Sequence, residues 1–591
     1  MSAQALAHAQ AAFRAGDFTT AARLADELVA RQPALMPALQ LAALAHMRLG
    51  RPDLARERLE AALKAAPGDP NLVNSYGNVL DALGETGAAL AAFRRALQIA
   101  PSLVDAHLNL GRVALKAGET DAAVAAYRRA CELAPDRPGA WHGLGLAHAE
   151  AADPDAAAQA LDRSLSVRPT LGALHARARL EHDRGRDSLP FWDRALAAAP
   201  GQPDLLVGRA AALRRAGDEP AAIAALEALV QAQPDALSAH AALAKMRFEA
   251  GQADGFDAGY AEALARSANP AALWAAWFSS LLQAGRPDQV LARLDAARPA
   301  LGDSAGRYEA AAAVDAGQLE RAEAALGGLD LSRDPELQLV NLRFLLKAGR
   351  PDAAARFGEP LALEAGRRNV WPYLGLAWRL TGDARWEWLE GDPRLIGADD
   401  LPLSAAELAE TAEALRGLHR SRTHPLDQTL RGGSQTEGDL FALDHPAIGR
   451  LKAALSEAVR RFVDQLPPPD PRHPLLGPPR ERFRFTGAWS VRLTGQGFHI
   501  NHVHEKGWIS SAFYVVLPPG VGEGAEDRAG WLAFGQPPAE LGLSLEPVRL
   551  IAPKPGRLAL FSSLMWHGTL PFDEGERLTV AFDVASLGGA R

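Results

Sequence analysis

Apolar residues recur at the spacing of α-helices through the first two thirds of the chain, and the pattern is interrupted at a constant interval. Four glycines lie 34 residues apart, at Gly16, Gly50, Gly84 and Gly118. A series of prolines keeps the same interval, at Pro33, Pro67, Pro101, Pro135 and Pro169. Glycine tolerates a tight turn and proline cannot continue a helix, so each glycine should join two helices and each proline should end the second. The pattern predicts a series of antiparallel helix pairs.

The unit between Pro101 and Pro135 indicates how these pairs would pack. Small residues such as Gly111 and Ala130 allow helices to approach closely, and Tyr127 is large enough to fill the gap between them. The unit and its 34-residue period resemble the tetratricopeptide repeat position by position. This resemblance implies an α-solenoid, a superhelix of stacked helix pairs whose groove binds a protein or peptide segment.

The repeat continues less regularly beyond residue 150. Turn glycines recur every 32 to 34 residues at Gly185, Gly217, Gly251, Gly285, Gly317, Gly349 and Gly382. Ala152 stands where the series would place another glycine. We therefore expect about 11 or 12 helix pairs in residues 1–390, with a pattern that degenerates after about residue 250.

The pattern changes near residue 390, where a second domain, residues 391–591, is expected. Its first part, residues 391–480, contains amphipathic helices at 405–420 and 452–465 and a polar, loop-like stretch at 423–441. After Arg480 the alternation of apolar and polar residues has a period of two, which predicts short strands. These strands are expected at 483–485, 488–493, 509–517, 531–534, 557–561 and 578–584. A β core over 481–591, built as a small sandwich or barrel with helical support, follows from this order.

Composition narrows the class of protein. Of 591 residues, 48% are hydrophobic and 23% are charged, which predicts a folded chain with a large core. The net charge of -8 argues against a general nucleic-acid binder. Neither a membrane span nor a signal peptide is expected. The single cysteine, Cys131, cannot form an intramolecular disulfide and is expected to be a buried structural thiol, so a cytoplasmic location is predicted.

Three of the 16 histidines lie within six residues, at His499, His502 and His504. On an extended chain, His502 and His504 point to the same side, so both imidazoles can bind one metal ion. His499 has the opposite parity and is expected to be a pocket or surface residue. His567, just beyond an apolar strand, is the best candidate for a third ligand from another strand.

Arg577 and Thr579 follow His567 and lie two residues apart on one predicted strand, so they face the same way and can hold a carboxylate together. The order H-x-(D/H), distal histidine and R-x-(S/T) resembles the double-stranded β-helix 2-oxoglutarate oxygenases. More narrowly, the chain is similar to the bacterial and phage subgroup of 2-oxoglutarate/iron oxygenases that are often attached to tetratricopeptide repeats. Residues 428–436, 502–510 and 556–582 carry that resemblance.

The resemblance implies an α + β multidomain protein, an α-solenoid followed by a jelly-roll or cupin-like double-stranded β-helix. It implies that His502, His504 and His567 hold Fe(II), and that the far carboxylate of 2-oxoglutarate meets Arg577 and Thr579. Tyr514 is expected to add a hydroxyl to this pocket. The implied activity is a dioxygenase that uses O₂, releases succinate and CO₂, and hydroxylates a protein or peptide side chain recruited by the repeats.

Several alternatives remain at this point. The usual facial triad has two histidines and one carboxylate, whereas the carboxylate position here is His504. Glu505 ranks second as a ligand because its parity points it away, and Asp583 is expected to be structural or to lie beside the ligands. Trp508 and Trp566 are expected to be packing groups. The protein as a whole could instead be a scaffold with a silent β domain, or a three-histidine iron dioxygenase that needs no 2-oxoglutarate.

Overall fold

The computed structural model of this protein describes residues 2–364, 366–421, 425–426 and 428–587. The chain divides into two compact units. The N-terminal unit comprises Met1–Arg184 and Ser188–Pro200, and the C-terminal unit comprises Gly185–Asp187 and Gly201–Arg591. Within the described residues, no helix is both long enough and apolar enough to cross a lipid bilayer.

The N-terminal unit is built from helix pairs. Its helices are α1 (Ser2–Arg14), α2 (Phe18–Arg31), α3 (Met36–Arg48), α4 (Pro52–Ala65), α5 (Pro70–Ala82), α6 (Thr86–Ile99), α7 (Val104–Lys116), α8 (Thr120–Leu133), α9 (Pro138–Glu150), α10 (Pro154–Val167), α11 (Leu171–Asp183) and α12 (Leu189–Ala198). Side chains such as Asp69 and Thr170 cap the helices by accepting hydrogen bonds from backbone amides of the first turn. The predicted turn glycine Gly118 has a φ of 74°, in the left-handed region that glycine adopts readily.

Small residues set the spacing between these helices. A Cβ added to Gly111 on α7 would lie 2.7 Å from the Tyr127 ring on α8, so the ring occupies the space that a side chain at Gly111 would need. Tyr127 itself is buried. Ala152, which replaces a glycine of the series, keeps the same left-handed turn with a φ of 56°.

The repeats continue in the C-terminal unit. Its helices are α13 (Pro203–Ala216), α14 (Glu219–Ala232), α15 (Leu237–Glu249), α16 (Ala258–Leu264), α17 (Pro270–Gln283), α18 (Pro287–Leu301), α19 (Ala305–Asp315), α20 (Leu319–Gly327), α21 (Pro335–Lys347), α22 (Pro351–Ala362), α23 (Trp371–Thr381), α24 (Ala405–Arg416) and α25 (Pro446–Gln465). A π-helical turn follows α23 at Glu387–Gly391. In this unit aromatic rings fill the space between helices, as in the stacked pair of Tyr260 on α16 and Trp277 on α17, whose centroids are 6.0 Å apart.

The strands form two antiparallel sheets at the C-terminal end of the chain. They are β1 (Ile396–Asp400), β2 (Leu430–Gln435), β3 (Arg482–His499), β4 (Ile509–Val516), β5 (Leu532–Phe534), β6 (Arg549–Ile551), β7 (Arg557–Ser562), β8 (His567–Thr569) and β9 (Arg577–Leu587). The larger sheet has the order β1-β7-β4-β9-β3-β2, and the smaller has the order β6-β5-β8. Phe513 on β4 and Phe582 on β9 share a core with Phe462 of the supporting helix α25. The predicted fold class, an α-solenoid followed by a double-stranded β-helix, is confirmed.

Some local predictions were wrong. The two strands expected at 483–485 and 488–493 are one strand, β3, with an irregularity in its register between Phe485 and Gly487. Part of the stretch expected to be a loop, 423–441, forms β2, which pairs with β3; residues 423, 424 and 427 lie outside the described part. His502 forms only an isolated bridge with His567 and does not belong to a regular strand. The domain boundary expected at 390/391 stays a prediction.

Candidate metal centre

Three histidines are brought together by the pairing of two segments that are distant in the chain. The amide of His502 donates to the carbonyl oxygen of His567 at 2.9 Å, and the amide of His567 donates back to His502 at 3.0 Å. The amide of His504 donates to the carbonyl of Ser563 at 2.7 Å. These bonds align residues 502–504 beside β8 and its preceding turn. Both His502 and His504 therefore face His567, although neither lies in a regular strand.

The ring nitrogens converge on one point. One nitrogen from each of His502, His504 and His567 lies within 4.8 Å of the other two. The Nε2 atoms of His502 and His504 are 3.0 Å apart. Such an arrangement can surround a single metal ion, because imidazole nitrogens bind transition metals at about 2 Å.

The other nitrogen of each ring has a hydrogen-bond acceptor. His502 Nδ1 lies 2.7 Å from the carbonyl oxygen of Ile500, and His567 Nδ1 lies 2.9 Å from that of Met565. A carbonyl oxygen only accepts, so both Nδ1 atoms carry the proton and both Nε2 atoms keep a lone pair. His504 Nδ1 lies 2.7 Å from Asp583 Oδ1, which selects the same tautomer. Metal-ligating histidines are oriented by partners of this kind.

Burial favours the neutral form of the His502 and His567 rings. Burial, together with the neighbouring His504 imidazole, lowers the pKa of His502 to about 3. Burial and the two other imidazoles hold the pKa of His567 well below its ordinary value. Neutral imidazole is the form that binds a metal, so no proton has to be removed from either ring at neutral pH.

A buried cationic pocket lies on strands β4 and β9. Arg577 is only 2% exposed, and its guanidinium carbon lies 5.1 Å from the ring centroid of Tyr514, which is fully buried. Thr579 is buried two residues further along β9 and is the cross-strand neighbour of Tyr514. Burial lowers the pKa of Arg577. The pocket can therefore receive an anionic group.

The guanidinium of Arg577 has no acidic partner among the described residues. No carboxylate oxygen there lies within 4.0 Å of it, and its buried Nε finds no hydrogen-bond acceptor. A buried charge without a partner is costly in a folded protein, so such a group normally serves a ligand. Its position two residues from Thr579 matches the expected arginine and hydroxyl pair.

His499 lies beside the three converging histidines. Its ring is 5.8 Å from that of His502, and its Nδ1 is buried without a hydrogen-bond partner among the described residues. Burial lowers the pKa of His499 well below its ordinary value, and the nearby His502 and Arg577 lower it further. His499 is thus a half-buried neighbour of His502, a position compatible with the expectation of a pocket residue.

The remaining candidates lie outside the ring of nitrogens. Glu505 is exposed, and its carboxylate accepts a hydrogen bond from Asn369. The indole of Trp508 donates to the carbonyl of Leu475 at 2.8 Å, and that of Trp566 donates to Pro372 at 3.0 Å. Both tryptophans are buried packing groups. Sequence reasoning also missed Ser510, which contacts Asp583, because only the register of β4 and β9 brings them together.

The last repeats hold the outer side of both histidine-bearing segments. Arg368 donates to the carbonyl of Gly507 at 3.0 Å, and Arg379 donates to that of Gly535 at 2.7 Å. Trp371 and Trp566 belong to one buried cluster, with Val503 packed against it. Helix α23 and the turn before it therefore support residues 502–507 and 564–567 from the side opposite to the imidazoles.

Family models match both parts of the chain. The model described as "Putative 2OG-Fe(II) oxygenase" matches residues 487–583. One tetratricopeptide-repeat model matches residues 41–103, 108–170 and 174–236, and another matches 82–130. The chain therefore carries tetratricopeptide repeats, and its residues 487–583 match the model of a 2OG-Fe(II) oxygenase domain. No curated protein matches the chain.

Solved structures similar to the chain include three proteins. A tetratricopeptide repeat protein from Parabacteroides merdae ATCC 43184 is 19% identical, with 41% of this chain and 97% of that chain covered and a TM-score of 0.34. The MamA protein is 23% identical, with 28% of this chain and 91% of that chain covered and a TM-score of 0.26. TTC0263, a thermophilic TPR protein of Thermus thermophilus, is 24% identical, with 30% of this chain and 98% of that chain covered and a TM-score of 0.27.

The side chains of the oxygenase domain fit the groups that its family implies. Three imidazoles with free Nε2 lone pairs suit Fe(II), for which nitrogen ligands are common. The buried guanidinium of Arg577, which has no acidic partner among the described residues, suits the far carboxylate of a 2-oxo diacid. The domain thus has three nitrogen donors that converge on one point and a separate buried cationic side chain.

Proposed function

We propose that this chain is an Fe(II)- and 2-oxoglutarate-dependent dioxygenase that hydroxylates a protein or peptide side chain delivered by its repeats. The observation that carries the proposal is the pairing of two features in one domain. One feature is the convergence of His502, His504 and His567. The other is the buried guanidinium of Arg577, which lacks an acidic partner among the described residues.

In this proposal the three imidazoles hold the metal through Nε2, with their Nδ1 hydrogens fixed by Ile500, Met565 and Asp583. Arg577 and Thr579 bind the distal carboxylate of 2-oxoglutarate. When bound, iron and 2-oxoglutarate with O₂ supply oxidative decarboxylation to succinate and CO₂, with transfer of one oxygen atom to a C–H bond of the substrate.

Tyr514 and His499 complete the cosubstrate pocket. The Tyr514 ring lies against the guanidinium of Arg577 and restricts its position. Burial raises the pKa of Tyr514, so its hydroxyl stays protonated and remains a hydrogen-bond donor. His499, neutral and between His502 and Arg577, can donate or accept a hydrogen bond along the bound diacid.

The repeats favour a macromolecular substrate. Tetratricopeptide repeats serve protein–protein interaction, and matches to their models run from residue 41 to residue 236. A small-molecule substrate would not need such a surface. Prolyl, asparaginyl and aspartyl side chains are all compatible with the proposed chemistry.

Anaerobic reconstitution tests the metal and cosubstrate roles. Fe(II) followed by 2-oxoglutarate should produce a weak visible charge-transfer band in the wild-type protein, and His567→Ala should lose it together with metal binding. Arg577→Ala should bind Fe(II) normally but need far more 2-oxoglutarate, since a lost charge-assisted contact costs about 1.5–3 kcal/mol, or roughly 10- to 150-fold in affinity. Arg472→Ala, at an exposed arginine of the same unit, is the matched control.

Succinate production separates the competing functions. A dioxygenase of the proposed type forms succinate from 2-oxoglutarate under O₂, and a captured peptide gains the mass of one oxygen atom. A scaffold with a silent domain forms none. A three-histidine enzyme that does not use 2-oxoglutarate consumes O₂ at an unchanged rate in Arg577→Ala, and that result would refute the proposal.

A further inference from the structure

The carboxylate of a common iron-binding triad is displaced in this protein rather than missing. A histidine, His504, occupies the ligand position, and its Nε2 faces the other two imidazoles. Its Nδ1 lies 2.7 Å from Oδ1 of Asp583 on β9. The negative charge therefore lies one imidazole ring away from the point where the three nitrogens converge.

A network of hydroxyls fixes that carboxylate. Ser510 Oγ lies 2.5 Å from the same oxygen of Asp583 and 2.9 Å from Ser563 Oγ. Ser510 and Asp583 are cross-strand neighbours on β4 and β9, and the carbonyl of Ser563 accepts the amide hydrogen of His504. The same three residues thus hold both the backbone and the ring of His504. Two strands and the turn after β7 determine where Asp583 lies.

The charges of the site favour a carboxylate at this position. Three neutral imidazoles leave a divalent metal with both of its positive charges, and Arg577 adds a third in the same buried region. Excess charge of one sign is costly where solvent is excluded. The side chains of His504 and Asp583 are only 15% and 16% exposed, so their interaction is weakly screened. One carboxylate here, together with a dianionic 2-oxo acid, makes the formal charges balance.

We propose that Asp583 is a positioning residue that supplies, through the Nδ1–H of His504, the negative charge that a carboxylate ligand supplies in a two-histidine, one-carboxylate centre. The inference rests on the proposed function, because it assumes that the three imidazoles bind a metal. The hydrogen bond to Asp583 keeps the proton of the ring on Nδ1 and leaves the lone pair of His504 Nε2 directed at the point where the three nitrogens converge. Asp583 itself touches neither metal nor cosubstrate.

Asp583→Asn in the full chain tests this role, because asparagine keeps the shape of the side chain and an acceptor oxygen but removes the charge. Titration with Co(II), followed by its visible absorption, should show a roughly 10- to 100-fold loss of metal affinity, the range typical of substitutions at such partners. The Co(II) spectrum should also shift, because a less basic Nε2 is a weaker ligand. Unchanged affinity and spectrum in a folded Asp583→Asn would overturn the proposal.

Two controls keep the outcome specific. Asp527→Asn removes an equal charge from an exposed part of the same unit and should leave Co(II) affinity unchanged; an equal loss there would mean that net charge alone acts, and would also overturn the proposal. If Asp583→Asn does not fold by circular dichroism, Asp583→Ser, which also removes the charge, replaces it. Weaker binding than wild type in that variant supports the role, and wild-type binding refutes it.

Failure of the inference can be distinguished from failure of the proposed function. If the wild-type protein binds Co(II) and His567→Ala does not, the metal centre stands whatever Asp583→Asn does. If the wild-type protein binds no Co(II) under any condition tested, the centre and the role of Asp583 fall together.

Discussion

The repeats of the N-terminal unit and those that precede the oxygenase domain share one sequence pattern but use different residues between their helices. In the N-terminal unit, glycine and alanine dominate the contacts, as where Tyr127 fills the space left by Gly111. In the last repeats, tryptophans such as Trp371 and Trp378 occupy the core. Small residues give close, regular spacing, whereas large rings allow a repeat to pack against a surface of another shape.

The difference reflects what each set of repeats packs against. Helices α3 to α9 contact mainly their neighbours in the array, as solenoid repeats do. Helix α23 shares a core with Leu541, Leu564 and Trp566 of the β region. The pattern that marks a repeat in the sequence therefore does not mark the limit of a folding unit, because the last repeats also cover the histidine-bearing segments.

Truncation should have the largest effect on Co(II) binding and should distinguish the two sets of repeats. A chain of residues 201–591 should fold and bind Co(II) like the full chain, because it keeps all of the C-terminal unit except Gly185–Asp187. A chain of residues 391–591 should aggregate or bind no Co(II), since Trp566 and Leu564 would lose their cover. Normal Co(II) binding by residues 391–591 would show that the last repeats are dispensable for the site.

Equivalent core substitutions should sharpen the comparison. Phe93→Ala in the N-terminal unit and Trp371→Ala in the C-terminal unit should each cost about 3–5 kcal/mol of stability, because both rings are buried. Only Trp371→Ala should also weaken Co(II) binding. Calorimetry and Co(II) titration of both variants would measure this, and weaker Co(II) binding in Phe93→Ala would contradict it.

One partly buried carboxyl group in each unit should make stability depend on pH with opposite signs. Burial raises the pKa of Glu390, in the π-helical turn after α23, to about 7, although Trp386 and Arg379 oppose the shift. The folded state then binds this proton more tightly than the unfolded state. The contribution of protonated Glu390 to the free energy of unfolding is full below about pH 4.5. It falls by on the order of 2 kcal/mol as the pH rises toward 7. Glu390→Gln should remove this loss in urea unfolding measured between about pH 4.5 and 8.

Asp81 of the N-terminal unit provides the contrast. Burial raises the pKa of its carboxyl, but hydrogen bonds from Arg112 and Lys116 outweigh burial and hold the pKa below its ordinary value. Its contribution to stability is therefore present above the ordinary pKa of about 4 and is lost in acid. Asp81→Asn should therefore reduce the loss of stability in acid. If it instead reduced the loss of stability as the pH rises toward 7, as predicted for Glu390→Gln, the assignment of signs would be wrong.

The smallest effect concerns a single turn. Ala152 adopts a φ of 56°, where an alanine costs about 1–2 kcal/mol and glycine does not. Ala152→Gly should therefore stabilise the N-terminal unit by about 1 kcal/mol, part of the gain being offset by the greater freedom of glycine when unfolded. Calorimetry should show a higher unfolding temperature for that unit. Co(II) titration should show an unchanged affinity. Ala151→Gly, next to it in the chain, is the control and should destabilise.

Much of the fold and the candidate site could be predicted because the information is local or periodic. The 34-residue interval from Gly16 to Gly118 predicts helix pairs without any knowledge of distant contacts. The separation of two between His502 and His504 predicts that both rings face one side. By contrast, β2 was expected to be a loop, because Gly432 and Gly433 are poor strand formers. Only glycine fits at position 433, because the backbone of Leu493 on β3 lies too close to leave room for a Cβ.

The sequence by itself determined the repeat array, the class of the second domain and the identity of its candidate ligands, because each depends on spacing along the chain. Only the tertiary structure decided that His504 Nδ1 faces Asp583, 79 residues away, and that Trp371 of a repeat supports the segment of His567. Such contacts depend on strand register and on packing between elements far apart in sequence. A one-residue change of register would turn Asp583 to the opposite face of β9 without altering the pattern of any nearby residue.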